Sequence, residues 1–581
     1  MEKNQEKMTK RQEYEILRAS LEGERSSFIP HYRDLSDYIL PRRPQFVLTD
    51  TNRGDRRNLK IVDSTATLAA RTNRSGMMSH ITSPARPWFR LTTSDPQLAE
   101  ISTVKEWLHT VTDRMTTVFL RSNLYNILPI IYGDLSTFGT AAMGAEESLD
   151  GEVMRFYAFP LGSYCIAADD KLQIRTFMRQ LRLTVRQIAE KFPWENLSET
   201  VQNHWNSRRY DAWIDVRHVI TTNTDYKPDK IDSKPFLSAY YETGAMGNDS
   251  NYMRNGEDKL LRESGYSFFP VLCPRWEVSG EDVYGTDCPG MIALGDIKAL
   301  QLMQKRRAQA IEKMINPPMI GPSFLRNHKV SILPGDITYV DEREGMKGFR
   351  PAHDVNLRLT DLDSIISETQ QRISRAYFED LFLMLANTDR RQITAREIDE
   401  RHEEKLLALG PVLEQLNQDL LDPLIDISFK AMDNQNLLPE APEELQGIAL
   451  KVEYISLMAQ AQKFVGVSGI EKFTSFVGNL TAITQNPDIL DKVDFDQMID
   501  VYGDLMSVNP SIVRPDDKVS EMRLQRQKAL EAKAKQEALA GIAKTVKDFA
   551  GAGKDMVGAA EGAGGGEMPM PDIAAMMGGN A

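Results

Sequence analysis

An α+β fold, mainly helical, is the class the sequence predicts, and three observations predict it. Apolar residues recur at helical spacing on both sides of residues 151–275. Within 151–275 the period changes to near-alternation, carried by β-branched and aromatic residues. Two long helical patterns, 286–315 and 356–386, bracket a small module punctuated by Pro and Gly.

At 581 residues the chain is longer than one core normally serves, so three or four structural units are expected. A hydrophobic content of 41% with 26% charged residues is ordinary for a folded chain. No stretch approaches the roughly 18 uninterrupted apolar residues of a membrane span. The first residues, MEKNQEKMTKRQEYEILRASLEGE, carry charges where a signal peptide needs its apolar run, so an intracellular, soluble product is expected. Cys165, Cys273 and Cys288 are too few and too widely spaced for a disulfide framework or a four-ligand zinc site, and are expected to be reduced. A formal charge of −13 argues against a protein that grips nucleic acid over its whole surface. It suits a wall past which DNA slides, with local basic clusters for transient contact.

Taken in order, residues 9–40 read as a first helical segment with Tyr14, Leu17, Leu21, Phe28, Tyr32, Leu35 and Ile39 mostly on one face, ended by Pro41 and Pro44. Arg53, Arg56, Arg57 and Lys60 form a basic loop, and such runs are more often solvated turns than phosphate contacts. A helix is expected over 63–82, followed by SPARPWFRL, in which the prolines force extended chain and Trp88, Phe89 and Leu91 supply a buried anchor. Helices follow at 96–121 and 123–138. Strands are expected in VMRFYAF, SYCIAAD, IRTFMRQLRL, DAWIDVRHVIT, PFLSAYYET and FPVLCPRWEV, with one short helix at Thr184–Phe192 and GYSFFP as a linker.

The pattern from Pro289 stops at Asn316-Pro317-Pro318, which removes backbone donors and bars helical geometry. The following module holds Pro334-Gly335-Asp336 between two β-rich runs, a small hairpin signal. The second long pattern, Leu357–Ala386, would span about 45 Å as one helix. Asn387-Thr388-Asp389 breaks it, and Thr394 with Glu397 resembles a capping box. Residues 437–508 read as helical segments cut by Pro and Gly, 516–549 as a strong helix former short of apolar residues, and 550–581 as a disordered Gly-rich tail.

Catalytic signatures are missing. Gly551-Ala552-Gly553-Lys554 is followed by Asp555, not by the Ser or Thr of a phosphate-binding loop. His402-Glu403 has Leu406 where a second zinc ligand would stand. The cluster Asp399, Glu400, Glu403 and Glu404 beside Lys405 reads as a charged helix surface rather than a nuclease centre. No catalytic, cofactor-binding or metal residue is assigned. Two basic groups remain: Lys305, Arg306 and Arg307, with Lys313, on the first long helix, and Arg390, Arg391 and Arg396 at the break after the second. They are the candidates for nonspecific phosphate contact.

The segments SPARPWFRL, YNILPIIYGDLSTFGTAAM, PRWEVSGEDVYGTDCPGMIALGDIKALQ, INPP and LGPVLEQLNQDLLDPLI, in that order, resemble the head-to-tail connector, or portal, proteins of short-tailed bacteriophages of podovirus type. The resemblance covers about 10–530. It implies a ring, usually of twelve subunits, at one capsid vertex, with a channel through which double-stranded DNA is packaged and ejected. It implies an α/β wing at 1–285, stem helices at 286–315 and 356–386, a small β-containing clip at 316–355 and a channel loop at 387–395. A helical return to the wing at 396–436, a helical crown at 437–515 and a C-terminal helix at 516–549, a candidate for a helical barrel, complete the map. Implied partners are further copies of the chain, DNA, the terminase large subunit, tail adaptor or nozzle proteins, and major capsid and scaffolding proteins, with no membrane. The implied location is the virion's portal vertex, and the host cytoplasm during assembly. Two other classes stay open on the residues alone: a DNA-packaging nuclease or ATPase, and a structural capsid or tail protein without a channel.

Overall fold

The longest helix begins and ends where the chain's prolines dictate. In a computed structural model it runs Pro289–Ile315, opening with a proline at its first turn and closing at Asn316 (φ −124°, ψ 73°) before Pro317-Pro318. The structure describes residues 9–46, 54–95, 98, 101–148, 151–230, 233–243, 260–320, 350–351, 359–387, 409–445, 450–455, 470, 473–480, 483, 492–505, 518–536 and 539. The chain divides into two compact units, Met1–Ser507 and Val508–Ala581. In the second, residues 518–536 are helical and exposed nearly throughout, as a strong helix former poor in apolar residues should be.

In the first unit, α1 (Lys10–Arg25) and α2 (Phe28–Tyr38) replace the single helix expected over 9–40. A capping box between Thr9 and Gln12 opens α1. The break falls at Ser26-Ser27, whose hydroxyls turn back onto the carbonyls of Gly23 (2.6 Å) and Glu24 (3.2 Å). Next come α3 (Thr65–His80), α4 (Ser102–Arg121) and α5 (Leu124–Phe138), close to their expected positions. Trp88 stacks on Phe119 of α4 and Phe89 packs tilted against the same ring, forming the buried anchor read from SPARPWFRL.

The sheet region is antiparallel. β4 (Tyr164–Ala168), β5 (Ile174–Thr184), β6 (Trp213–Thr222), β7 (Phe236–Glu242) and β8 (Arg262–Tyr266) form one sheet in sequence order, as short connections favour. A second sheet has the order β3 (Met154–Ala158), β2 (Met143–Glu147), β9 (Val271–Leu272). Four details differ from the sequence expectation. Met-Gly-Ala-Glu-Glu forms β2 despite having no β-branched residue, because it is paired on both sides. The segment taken as a linker contributes to β8, paired with β7. Residues 269–278 supply only the two-residue β9. A second short helix, α7 (Glu199–Asn206), follows the expected one, α6 (Val185–Lys191); Ser198 caps α7 and is held by Glu242, which accepts from its hydroxyl at 2.6 Å.

After the Pro317-Pro318 stop, β10 (Met319–Ile320) pairs with β11 (Arg350–Pro351), joining the ends of the 316–355 module. The hairpin expected around Pro334 lies outside the described residues. The second long helix is interrupted: helices Leu359–Ala376 and Glu379–Asn387 meet at Phe378, which adopts φ +55°. This left-handed turn is costly for a bulky residue. It is fixed by the fully buried Asn73, whose amide donates to the Tyr377 carbonyl at 2.9 Å. Further on, helix Gly410–Leu416 passes through one π-helical turn, Asn417–Leu421, into helix Asp422–Asn434. A strand the helical reading of 437–508 did not foresee, β12 (Leu450–Tyr454), pairs with β1 (Phe89–Thr93). Residues 450–454 therefore join the same sheet as the Trp88 anchor.

Two large cores result. One packs α4, α5, β1 and β2 against 409–445; the other packs α2 and α3 against the β4–β6 side of the sheet and the base of the long helices. Two buried ion pairs span them. The Arg43 guanidinium donates twice to Asp134 from Nε and once from Nη2 at 2.6–2.8 Å, and Arg275 donates to Asp419 at 3.0 and 3.2 Å. All three cysteines are free and buried, and burial pushes their thiols up, Cys165 to about 11 and Cys288 to about 12, so they are unreactive packing residues.

The root of the long helix is a backbone-on-backbone contact. A Cβ added at Gly290 would stand 2.3 Å from the Thr137 carbonyl oxygen, whereas one at Gly295, a turn further on, would meet nothing within 4 Å. Gly290→Ala is expected to cost about 1–3 kcal/mol through overpacking. Gly295→Ala is expected to gain up to about 1 kcal/mol from helix propensity. Chemical denaturation of the unassembled chain checks both signs.

Candidate nucleic-acid interface

The two long helices, Pro289–Ile315 (here α8) and Leu359–Ala376 (α9), pack along each other, and their roots are locked by polar groups that sequence reasoning did not single out. Apolar packing comes first: Ala293, Ile297 and Leu300 of α8 and Ile366 and Ile373 of α9 enter the second core beside Tyr377. The polar lock centres on Asp63, just before α3. Gln301 of α8 is buried, and its amide oxygen accepts the backbone N–H groups of Val62 (2.6 Å) and Asp63 (2.8 Å). Its amide nitrogen donates to the Asp63 carbonyl at 2.9 Å. The Asp63 carboxylate accepts from Gln304 of α8 and Gln370 of α9, both at 2.9 Å on one oxygen. Its other oxygen accepts from the Thr65 N–H (2.8 Å) and hydroxyl (2.5 Å). One carboxylate thus ties three helices. Burial works against its ionisation, but the hydrogen bonds from Thr65, Gln370 and Gln304 outweigh that and hold its pKa below the ordinary value.

Salt bridges complete the bracing. Lys298 reaches Asp34 of α2 at 2.7 Å, and Arg372 of α9 is bidentate to Asp296 of α8 at 3.0 and 3.1 Å. These pairs are exposed, so each adds geometry more than energy.

Beyond Gln301 the character of α8 changes. From Leu302 to Ile315 no residue of the helix is buried, a length of roughly 20 Å. Leu302 is 48% exposed, Met314 45% and Ile315 71%, and on α9 Ile365 is 51% exposed. The basic residues read from the sequence lie on this stretch. Lys305 and Arg306 are exposed, as is Lys313, and none has an ion pair among the described residues. Arg307 differs from them: its Nε sits 2.8 Å from Asp363 of α9, so its charge is matched across the helix pair. Arg390, Arg391 and Arg396 lie outside the described residues. Of the basic loop near the amino terminus, Lys60 is paired with Asp37 at 2.6 Å, the solvated-turn reading. Among the described residues no group of His, Cys, Asp and Glu is arranged to hold a metal ion, and no helix is long and apolar enough to cross a membrane.

Asp63 and its glutamines left only a faint sequence signal. Gln301 and Gln304 stand three apart on the face that carries Ile297 and Leu300, where a polar side chain must find a buried partner.

A 27-residue helix rooted in an α+β unit, with no buried residue in its outer half, leaves apolar side chains exposed beside α9. Residues 11–513 match the family described as bacteriophage head to tail connecting protein. The chain is 48% identical over 535 residues to the portal protein of Salmonella phage epsilon15, covering 91% of this chain and 94% of that protein. It is 42% identical over 509 residues to the probable portal protein of Bordetella phage BPP-1, covering 87% and 89%. The chain belongs to the phage head-to-tail connecting protein family, and is a structural component rather than an enzyme.

The depressed pKa of Asp63 gives a pH signature. Its contribution to stability is full above the unfolded carboxyl range, about 3.9, and is lost as pH falls through the lower folded value. Asp63→Asn should therefore be less stable than the parent at neutral pH, with the gap closing below about pH 4. Urea denaturation of both proteins across pH 3–7 measures this, and a gap independent of pH would count against the carboxylate's role.

Proposed function

We propose that this chain is a portal subunit: it assembles into a ring, of twelve copies in the form usual for the family, at a unique capsid vertex, and double-stranded DNA passes through its centre during packaging and ejection. The observation that carries this reading is the outer half of α8, where Leu302, Ile311, Met314 and Ile315 stay 48%, 36%, 45% and 71% exposed. Apolar surface on a protruding helix costs roughly 25 cal/mol per Å² while it stays in water, and a head-to-tail contact between identical copies removes that cost and closes into a ring. Family membership and the two portal relatives support the same reading.

In this account residues 1–285 form the wing, 286–315 and 356–386 the stem, and 316–355 the clip. Residues 387–395 form the channel loop, 396–436 return to the wing, 437–515 form the crown, and 516–549 a C-terminal helix. The pairing of β12 with β1 supports a variant in which 450–454 belong with the wing. The clip docks the terminase large subunit during filling and a tail adaptor or nozzle afterwards, while the wing meets capsid and scaffolding proteins. Arg390, Arg391 and Arg396 act as nonspecific phosphate contacts in the channel, with Lys305 and Arg306 as secondary ones. Arg307 contributes less, because Asp363 already neutralises it.

Electron microscopy of the purified protein is expected to show rings with a central hole. Leu302→Asp with Ile365→Asp should abolish rings while far-UV circular dichroism stays unchanged. Particles without a hole would reject the channel. Replacing Arg390 and Arg391 by Ala should leave rings intact and alter packaging or genome retention, measured by protected DNA per particle. Unaltered packaging would remove those two residues from the channel.

A further inference from the structure

A single row of paired residues crosses four strands of the large sheet on the face turned away from α1. Arg179 of β5 stands opposite His218 of β6, His218 opposite Tyr240 of β7, and Tyr240 opposite Arg262 of β8. Directly paired residues of an antiparallel sheet place their side chains on one face, about 4.5–5.5 Å apart. The row therefore sets an arginine at each end of an imidazole and a phenol ring. Met178, Val219 and Ala239, the chain neighbours of the row, point the other way and pack under α1.

Arg179 Nε donates to His218 Nδ1 at 3.2 Å, and the guanidinium carbon lies 4.6 Å from the centre of the Phe159 ring. His218 stacks flat on Tyr240, with ring centres 3.8 Å apart, and its Nε2 meets the Ser238 hydroxyl at 2.9 Å. Since Nδ1 accepts, the imidazole is neutral; burial, then the charges of Arg179, Lys191 and Arg262, hold its pKa well below the ordinary value. A third cation comes from α6. The capping box of Thr184 with Gln187 starts that helix where β5 ends, and its last residue, Lys191, brings its ammonium to 4.9 Å from the centre of the Tyr240 ring. Nearby arginines are matched: Arg182 by Asp215 at 3.0 Å, and Arg217 by Glu15. Among the described residues Arg179, Lys191 and Arg262 have no carboxylate within ion-pair reach. Glu146 of β2 faces the group from the second sheet and acts on Lys191 from a distance, so three cations stand against one carboxylate. Lys191 and Arg262 are exposed and Arg179 is half-buried, which leaves the group open to solvent.

We propose that Arg179, Lys191 and Arg262 form a binding site for a phosphate-type oxyanion beside the Tyr240 ring. Like charges held together by strand register and a helix end repel one another, and an anion between them removes that cost. The Arg179 guanidinium, fixed by His218, presents a planar fork that matches a multi-oxygen anion better than a spherical one, and Lys191 adds a point charge. The bound anion ties α6 to β5 and β8 across the open face of the sheet. Its source is either free phosphate or the phosphate backbone of a nucleic acid.

The test is thermal unfolding of the full chain with inorganic phosphate, against chloride and acetate at matched ionic strength. Binding to the folded state alone raises Tm with ligand concentration. Phosphate should raise Tm progressively through the millimolar range and chloride and acetate should not. Lys191→Gln and Arg262→Gln alter exposed side chains, and each should weaken the apparent phosphate affinity about fivefold or more. A purely structural role for these two residues would lower Tm equally with and without phosphate, leaving the phosphate shift unchanged, and that result overturns the proposal. So does an equal shift with all three anions. Binding of a short DNA duplex, read by fluorescence anisotropy, that both variants weaken assigns the site to backbone phosphate; duplex binding that neither variant changes assigns it to the free ion.

Discussion

One asymmetry governs the molecule: the long helix carries buried residues up to Gln301 and none from Leu302 to Ile315, where α9 meets it along one side. Helices in water gain most of their stability from packing an apolar face, not from propensity. A helix of 27 residues that buries side chains only along its first half is therefore anchored at one end and leaves apolar surface exposed at the other. The portal reading follows from asking what covers that surface, and identical subunits in a ring cover it in repeated form.

Anchoring such a rod demands a stiff root, and the structure shows how it is made. Glycines remove side chains where backbones must touch: Gly290 lies against the Thr137 carbonyl, and Gly139, at φ +78°, against Gly285. A single carboxylate, Asp63, then gathers glutamines from both long helices and the start of α3. Polar networks of this kind are specific because every member must be satisfied together. Behind them the buried Arg43–Asp134 and Arg275–Asp419 pairs tie distant segments of the unit, and removing one partner of such a pair typically costs about 3–5 kcal/mol.

The legible parts of the fold were those whose cause is local. Pro317-Pro318 announced the end of α8, and alternating apolar residues announced β4 to β7 with the right chemistry. What stayed hidden was decided by partners distant in sequence. Met143–Glu147 becomes a strand because β3 and β9 flank it, and Leu450–Tyr454 because β1, some 360 residues earlier, offers an edge. The break at Phe378 needs Asn73, some 300 residues away. Within the candidate interface the basic cluster at 305–307 could be read, but not that Arg307 is matched by Asp363 across the helix pair, nor that Asp63 holds the root. Helical period shows that a face exists and leaves open what covers it.

The central claim is that the outer half of α8 acquires its cover from other copies of the chain. Hydrogen–deuterium exchange resolved to peptides, compared between unassembled and assembled protein, reads this directly, because packing against a neighbour slows the opening of helical amides. The account predicts strong new protection across residues 302–315 on assembly, with little change at 289–301, which are already packed. Exchange at 302–315 that is equally fast in both states would contradict it.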